Sequence, residues 1–235
     1  MGFETTQWSL VLNAGVENAK SRAAFEELTR IYWPPLFVYL RGKGMNTEDA
    51  RDAVQSFFLY LFEKDVPKKA DPSRGRFRTF LLTALNNFLS HEYAKANAMK
   101  RGGGAVHVSL DTESLDVLES KIATQKYPPE HMFDQQWAIE CVREALHVVE
   151  SEYRDRGKGA VFVVLKDTLV SSDGKSDYAA KAAALSMSDG AVRVAIHRLR
   201  KRYGAALKAE VVRTVEDPAL VEEELAYLIQ VLGGR

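Results

Sequence analysis

The sequence predicts an all-α protein: two helical domains joined by a flexible linker, the C-terminal one a helix-turn-helix. Three observations predict it. Apolar residues recur at intervals of three and four along most of the chain, the spacing of one helix face. Gly102, Gly103 and Gly104 open a polar stretch that closes on Pro128 and Pro129, which marks a connector between packed bodies. Residues 176–207 read as two helices around a tight break, the second rich in cationic side chains, a pattern suited to meeting a phosphate backbone.

Composition sets the bounds. A length of 235 residues allows one large domain or two small ones. An apolar fraction of 46% suffices for ordinary folded cores, and 27% charged is normal for a soluble protein. Lys plus Arg and Asp plus Glu both number 32, so the net charge is zero and argues neither for nor against nucleic acid. Segregation matters more: bases collect in residues 193–208 and acids in residues 216–224. The single cysteine, Cys141, forms no internal disulfide, so no oxidising compartment is needed. The first residues lack a basic region followed by an apolar run, and no stretch approaches the ~20 apolar residues of a membrane span. A soluble, cytoplasmic protein is expected.

The first helical segment carries Trp8, Leu10, Val11, Phe25, Leu28, Ile31, Tyr32, Leu36 and Tyr39 at helical spacing, with Pro34 and Pro35 expected to kink or restart it. Gly42 and Gly44 close this segment and Thr47 opens the next. There Ala50, Val54, Phe57, Phe58 and Leu61 share a face, while Asp49, Asp52, Gln55, Ser56 and Glu63 lie elsewhere and read, on their own chemistry, as a solvated face. Leu59 and Phe62 widen the apolar band toward a partner surface. Residues 64–78 form a basic loop with Pro67, Pro72 and Gly75. The helix of residues 77–93 follows, aromatic and aliphatic, after which Lys95, Lys100 and Arg101 add positive charge. Basic and aromatic residues interleaved in this way suit unstacked bases as well as phosphates. Phe77, Phe80 and Phe88 fit a hydrophobic core equally well.

The linker, residues 102–130, contains Val106, Val108, Leu110, Leu115, Val117, Leu118 and Ile122, too apolar for purely solvated chain, so part of it is expected to lie in a partner's groove. Helical spacing resumes through Trp137, Ile139, Val142, Leu146 and Val149. The apolar residues 161–169 read locally as strand or helix, and helix is preferred because no neighbouring strand is available. In the next helix Ala179, Ala182, Ala183 and Leu185 form a small-residue face. Ser188 is placed to cap the second helix and Asp189 to complement its dipole. Val192, Ile196, Leu199 and Tyr203 then point inward, with Arg193, His197, Arg198, Arg200, Lys201 and Arg202 elsewhere. Arg193, near the helix start, suits base edges, and Arg198, Arg200, Lys201 and Arg202 suit phosphates. A last helix begins at Asp217 and Pro218, carries an acidic first turn, and offers Leu220, Leu225, Leu228, Ile229 and Leu232. This acidic tail is expected to pack on the second domain or to mask its basic face.

Catalytic chemistry leaves little trace. The five histidines are scattered without an i, i+4 pair or an HExxH that would place two zinc ligands on one helix face. No GxxxxGK[ST] or GxGxxG is present, and Cys141 reads as a buried small hydrophobe. Asp49 and Asp52 lie three apart on a helix without a cleft signal. No metal, no cofactor and no enzymatic activity are expected.

Three stretches in order, TEDARDAVQSFFLYLFEK at residues 47–64, RFRTFLLTALNNFL at 76–89 and SDGAVRVAIHRLRKR at 188–202, together resemble the extracytoplasmic-function sigma factors of bacterial RNA polymerase. The resemblance covers most of residues 20–210. It implies a polymerase- and minus-ten-binding domain in residues 1–101, a linker in 102–130 running toward the RNA exit channel, a minus-thirty-five-binding domain in 131–212, and a C-terminal extension in 213–235. It implies that Asp52 and Gln55, with Asp49 and Phe58, dock on the β′ clamp helices. Arg76, Arg78, Phe80 in place of the family's tryptophan, Asn87, Lys95, Lys100 and Arg101 would hold the minus-ten strand. Ser188, Gly190, Arg193, His197, Arg198, Arg200 and Lys201 would hold the minus-thirty-five duplex, in a domain that also meets the β flap. An anti-sigma factor or the chain's own extension would be the regulator. The chain departs from the family at residues 88–92, which replace a basic run, at Val194 and Ala195, in the long segment 157–176, and in the tail. The alternative reading is a stand-alone helix-turn-helix regulator that binds a two-fold operator as a dimer.

Overall fold

The computed structural model describes residues 19–63, 76–98, 118, 122, 127–169, 177–215 and 217–233, with the backbone alone for 19–25, 62–63 and 93–98. All regular structure among them is helical: α1 (Ala19–Gly42), α2 (Thr47–Glu63), α3 (Phe77–Ala98), α4 (Pro129–Asp155), α5 (Gly159–Leu165), α6 (Tyr178–Leu185), α7 (Asp189–Val212) and α8 (Val221–Leu232). Short 3-10 turns at Lys166–Leu169 and Pro218–Leu220 follow α5 and precede α8. The all-α expectation holds, and no described helix is long and apolar enough to cross a membrane.

The chain divides into two compact units, Met1–Glu140 with Val212–Arg235, and Cys141–Val211. The second unit begins inside α4, later than the sequence boundary at 131. The C-terminal extension groups with the N-terminal helices, so of the two expectations for the acidic tail, packing on the second domain is not met. Most of the linker, with its apolar residues apart from Leu118 and Ile122, lies outside the described residues.

In the first unit α1 runs unbroken through Pro34 and Pro35, where the sequence predicted a kink or restart. Each proline removes one backbone hydrogen bond and crowds the preceding turn, at about 3 kcal/mol or more. Tyr32, Leu36, Phe37 and Leu40 are fully buried around them, and burial of each such side chain contributes about 1.5–3 kcal/mol, enough to outweigh that cost. The helix ends on Gly44, whose φ of +87° needs a residue without a Cβ. There the Met45 amide donates to the Leu40 carbonyl at 3.1 Å and the Gly44 amide to Arg41 at 2.9 Å, a Schellman closure. Asn46 then caps α2, its Oδ1 accepting from the Asp49 amide at 2.8 Å. Phe57, Phe77, Leu81, Leu85, Phe133 and Trp137 complete the core, with Tyr32 edge-on to Phe77 at 5.1 Å. Helix α8 adds Val221, Leu228 and Val231. The apolar face proposed for it from sequence is only partly the buried one, since Ile229 is 60% and Leu232 40% exposed.

The second unit packs Ala145, Val149, Phe162, Leu165, Ala182, Val192, Ile196, Leu199 and Ala206 into one core. Helix α4 closes on Gly157 at φ +68°, with the Lys158 amide donating to the Tyr153 carbonyl at 2.7 Å. The apolar run 161–169 is helical, as preferred, with Phe162 and Leu165 facing the core. Asp177 caps α6, accepting from the Ala180 amide at 3.0 Å. The turn into α7 forms around Ser186, which alone among the described non-glycine residues takes a positive φ, 52°. The Met187 amide bonds back to the Ala182 carbonyl at 2.9 Å and holds that turn. The polar loop 170–176 lies outside the described residues.

Candidate nucleic-acid interfaces

Arg76 stands immediately before α3 and Arg78 in its first turn, and neither faces open solvent as a free cation. Arg78 is 6% exposed. Its guanidinium lies between two rings, 4.7 Å from the centre of Trp137 on α4 and 4.6 Å from that of Tyr227 on α8. Its Nε donates to Asp134 Oδ1 at 3.0 Å, and its Nη1 pairs with Glu224. Arg76 pairs through Nε with Glu224 Oε2 at 2.8 Å and through Nη2 with Glu223. Glu224 is fully buried, while Glu223 is largely exposed. Tyr227 donates its hydroxyl to Asp134 Oδ2 at 2.5 Å.

The result is a five-member polar cluster inside one unit: two guanidinium groups, three carboxylates, and two rings as walls. Its charges set its pKa values in opposite senses. Burial lowers that of Arg78, and Asp134 opposes the shift by favouring the cation. Burial raises that of the Tyr227 phenol, with the bond to Asp134 acting in the same direction. Beside the cluster lies a cleft of about 350 Å³ lined by Tyr39, Arg76, Thr79, Thr83, Asn86 and Tyr227, among others. Asn86 in that wall donates Nδ2 to the Tyr39 hydroxyl at 3.0 Å and accepts from Lys43 Nζ at 3.1 Å.

The other residues named for the minus-ten role fare differently. Asn87 is exposed on α3, one position beyond the Asn86 that lines the cleft. Phe80 is half-buried, its ring 6.0 Å from that of Phe77, so it belongs partly to the core. The Lys95 side chain, and Lys100 and Arg101 altogether, lie outside the described residues.

On α2 only part of the proposed polymerase surface is surface. Asp52 is exposed and Gln55 half-buried. Asp49 is exposed but tied into the helix cap, its Oδ2 accepting from Asn46 Nδ2 at 2.7 Å. Phe58 is buried at 4% exposure with its ring 6.0 Å from that of Phe57, because the apolar face of α2 is broad enough to turn both phenylalanines inward. A buried ring is unavailable to a docking partner, so Phe58 is corrected to a core residue.

In the second unit Ser188 caps α7 as read from sequence, its Oγ accepting from the Ala191 amide at 3.3 Å. Val192, Ile196 and Leu199 are buried, and Tyr203 is half-buried. Gly190, Arg193, Val194, His197, Arg198 and Lys201 form an exposed strip along the helix. Arg193 lies over the Tyr178 ring at 4.6 Å, which steadies it against α6.

Arg200, assigned to phosphate, is turned elsewhere: its Nε and Nη2 donate to the Thr168 carbonyl at 3.1 and 2.7 Å. It ties α7 to the 3-10 turn after α5, so its donors serve the fold. Arg202 does the same with Glu152, Nε to Oε2 at 2.6 Å with a second bond from Nη2 to Oε1. That bond holds the Glu152 carboxyl below its ordinary pKa.

Sequence reasoning missed Asp134, Glu224, Tyr227, Tyr178 and Thr168. One of them left a signal. Glu224 falls in helical phase with Val221, Leu228 and Val231, so a carboxylate sits on the buried face of α8 and requires a cation opposite. Among the described residues no group of three or more His, Cys, Asp or Glu side chains is arranged to hold a metal ion. The chain matches no family model, no curated protein and no solved structure.

Proposed function

We propose that this protein is a cytoplasmic promoter-recognition subunit of the extracytoplasmic-function sigma type, without enzymatic activity of its own. The observation that carries the reading is the exposed strip of α7. After a tight turn and a serine cap, Arg193, His197, Arg198 and Lys201 project from one side of a helix whose other side is the core. A helix with that division can lie in a major groove, its early residues at base edges and its later cations at phosphates.

Three features of the first unit support the same reading. Asp52 is an exposed carboxylate on the helix proposed to meet the β′ clamp, with Gln55 one turn along. The cleft beside α3 mixes polar and apolar walls, and beside the carboxylates of Glu130 and Asp134 it supplies hydroxyl, amide and aromatic groups that suit an unpaired base. Arg76 and Arg78 line that cleft, although both are paired here with carboxylates of α8. In this mechanism the second unit holds the minus-thirty-five duplex, and the first keeps unpaired minus-ten bases from closing again, with polymerase as the scaffold. The test is run-off transcription with purified core polymerase on a promoter library. Promoter-specific transcripts are the expected outcome. A stable dimer that binds a two-fold operator tightly without polymerase, and gives no transcripts, refutes this reading in favour of a stand-alone regulator.

A further inference from the structure

We propose that helix α8 and single-stranded nucleic acid are alternative occupants of the Arg76–Arg78 face, so that α8 must leave before an unpaired strand can be held there. The proposal rests on the reading of the first unit as a single-strand-binding domain and adds a competitor built into the same chain. Its basis is chemical equivalence. A single strand offers phosphate anions to arginines and flat rings to guanidinium planes. Helix α8 offers the Glu223 and Glu224 carboxylates to Arg76 and Arg78, and lays the Tyr227 ring over the Arg78 guanidinium at 4.6 Å.

Exposure makes the two occupancies exclusive. With α8 seated, Arg78 is 6% exposed and Glu224 is 0% exposed, so no second anion reaches that guanidinium. The neighbouring cleft stays open and Arg78 borders it, but Tyr227 and Asp134 line the same wall, so the guanidinium is already covered by a ring and a carboxylate there. Helix α8 is also short. Its seat uses three apolar side chains, Val221, Leu228 and Val231, together with the carboxylates, while Ile229 and Leu232 remain exposed. An element so held can open locally without unfolding the core behind it. Because α8 is covalently tethered, the apparent affinity for a strand is the intrinsic affinity reduced by the fraction of molecules with α8 open.

The experiment uses the full chain with fluorescein-labelled single-stranded DNA of mixed sequence, read by anisotropy, and amide hydrogen exchange of residues 221–232 as the measure of opening. Glu224→Gln removes the buried carboxylate charge. Glu223→Lys, at a side chain 66% exposed and therefore tolerant of substitution, sets a cation against Arg76. Both substitutions are expected to speed exchange in α8 and to tighten strand binding, Glu224→Gln by about a hundredfold and Glu223→Lys by about tenfold. Such gains are expected if α8 is open in roughly one in a thousand unaltered molecules. The gain should vanish when Arg76→Ala and Arg78→Ala are added. Faster exchange with unchanged affinity overturns the proposal. So does a gain that survives loss of both arginines, or a Glu224→Gln chain whose α8 remains as protected as before. Absence of promoter-specific transcription in every variant would instead refute the promoter reading and leave the competition for single strands standing.

Discussion

Glu224→Gln is also the sharpest probe of what holds the first unit together. The carboxylate is fully buried, touches Arg76 and Arg78, and is the sole carboxylate of the cluster shared by both arginines. Removing one member of a buried ion pair usually costs about 3–5 kcal/mol, because the remaining charge is left without compensation in a poorly solvated site. Here the lower end applies. Arg78 keeps Asp134 at 3.0 Å and two aromatic faces, and the Arg76 side chain, 27% exposed, can regain water. A loss of about 3 kcal/mol is therefore expected. For a protein of this length it corresponds to a fall in Tm of about 6–12 °C. Urea unfolding followed by tryptophan fluorescence measures it, since Trp137 lies against Arg78. The internal control is Glu223→Gln: its side chain is 66% exposed, and an exposed pair contributes only about 0–1 kcal/mol. A Glu224→Gln loss below about 1 kcal/mol, or one no larger than that of Glu223→Gln, would refute the argument that burial gives the cluster its weight.

Phe58→Ala should destabilise the chain by about 3–5 kcal/mol in denaturant titration, as removal of a buried ring does. Asp52→Ala with Gln55→Ala should leave stability within about 0.5 kcal/mol and abolish capture of core polymerase in a pull-down. Arg198→Ala should weaken duplex binding and reduce the slope of log affinity against log salt by about one, whereas Arg200→Ala should lower thermal stability and leave that slope nearly unchanged. Glu152 has a depressed folded pKa, so the stability from its bond to Arg202 is full above the ordinary carboxyl value of 4.5 and is lost as pH falls through the folded value. Because the pair is surface-exposed, Glu152→Gln should cost only about 0.5 kcal/mol at neutral pH, and the difference from the unaltered chain should shrink in unfolding measured in acid.

Local signals were legible wherever a residue's role depends on near neighbours in the chain. The Ser188 cap, the start of α7 and its inward residues Val192, Ile196 and Leu199 follow from short-range hydrogen bonding and a period of 3.6. The helical state of residues 161–169 followed from the lack of a strand to pair with. Pro34 and Pro35 misled because their local penalty is offset by long-range burial of Leu36, Phe37 and Leu40, which no window of sequence contains. Phe58 misled for a related reason: a broad apolar band does not say which of its rings the core will accept.

By itself, the sequence determined an all-α fold class, the Ser188 and Asp217 caps and a cationic strip on α7, because period, capping chemistry and charge are properties of adjacent residues. Only the tertiary structure decided what each cation faces. Arg76, Arg78, Arg193, Arg198, Arg200 and Arg202 look alike in sequence, yet Arg198 is exposed, Arg193 is stacked on Tyr178, Arg200 and Arg202 are bonded back to Thr168 and Glu152, and Arg76 and Arg78 hold the carboxylates of α8. The physical reason is reach: a guanidinium takes the nearest acceptor in space, and for Arg78 that acceptor, Glu224, lies at the far end of the chain.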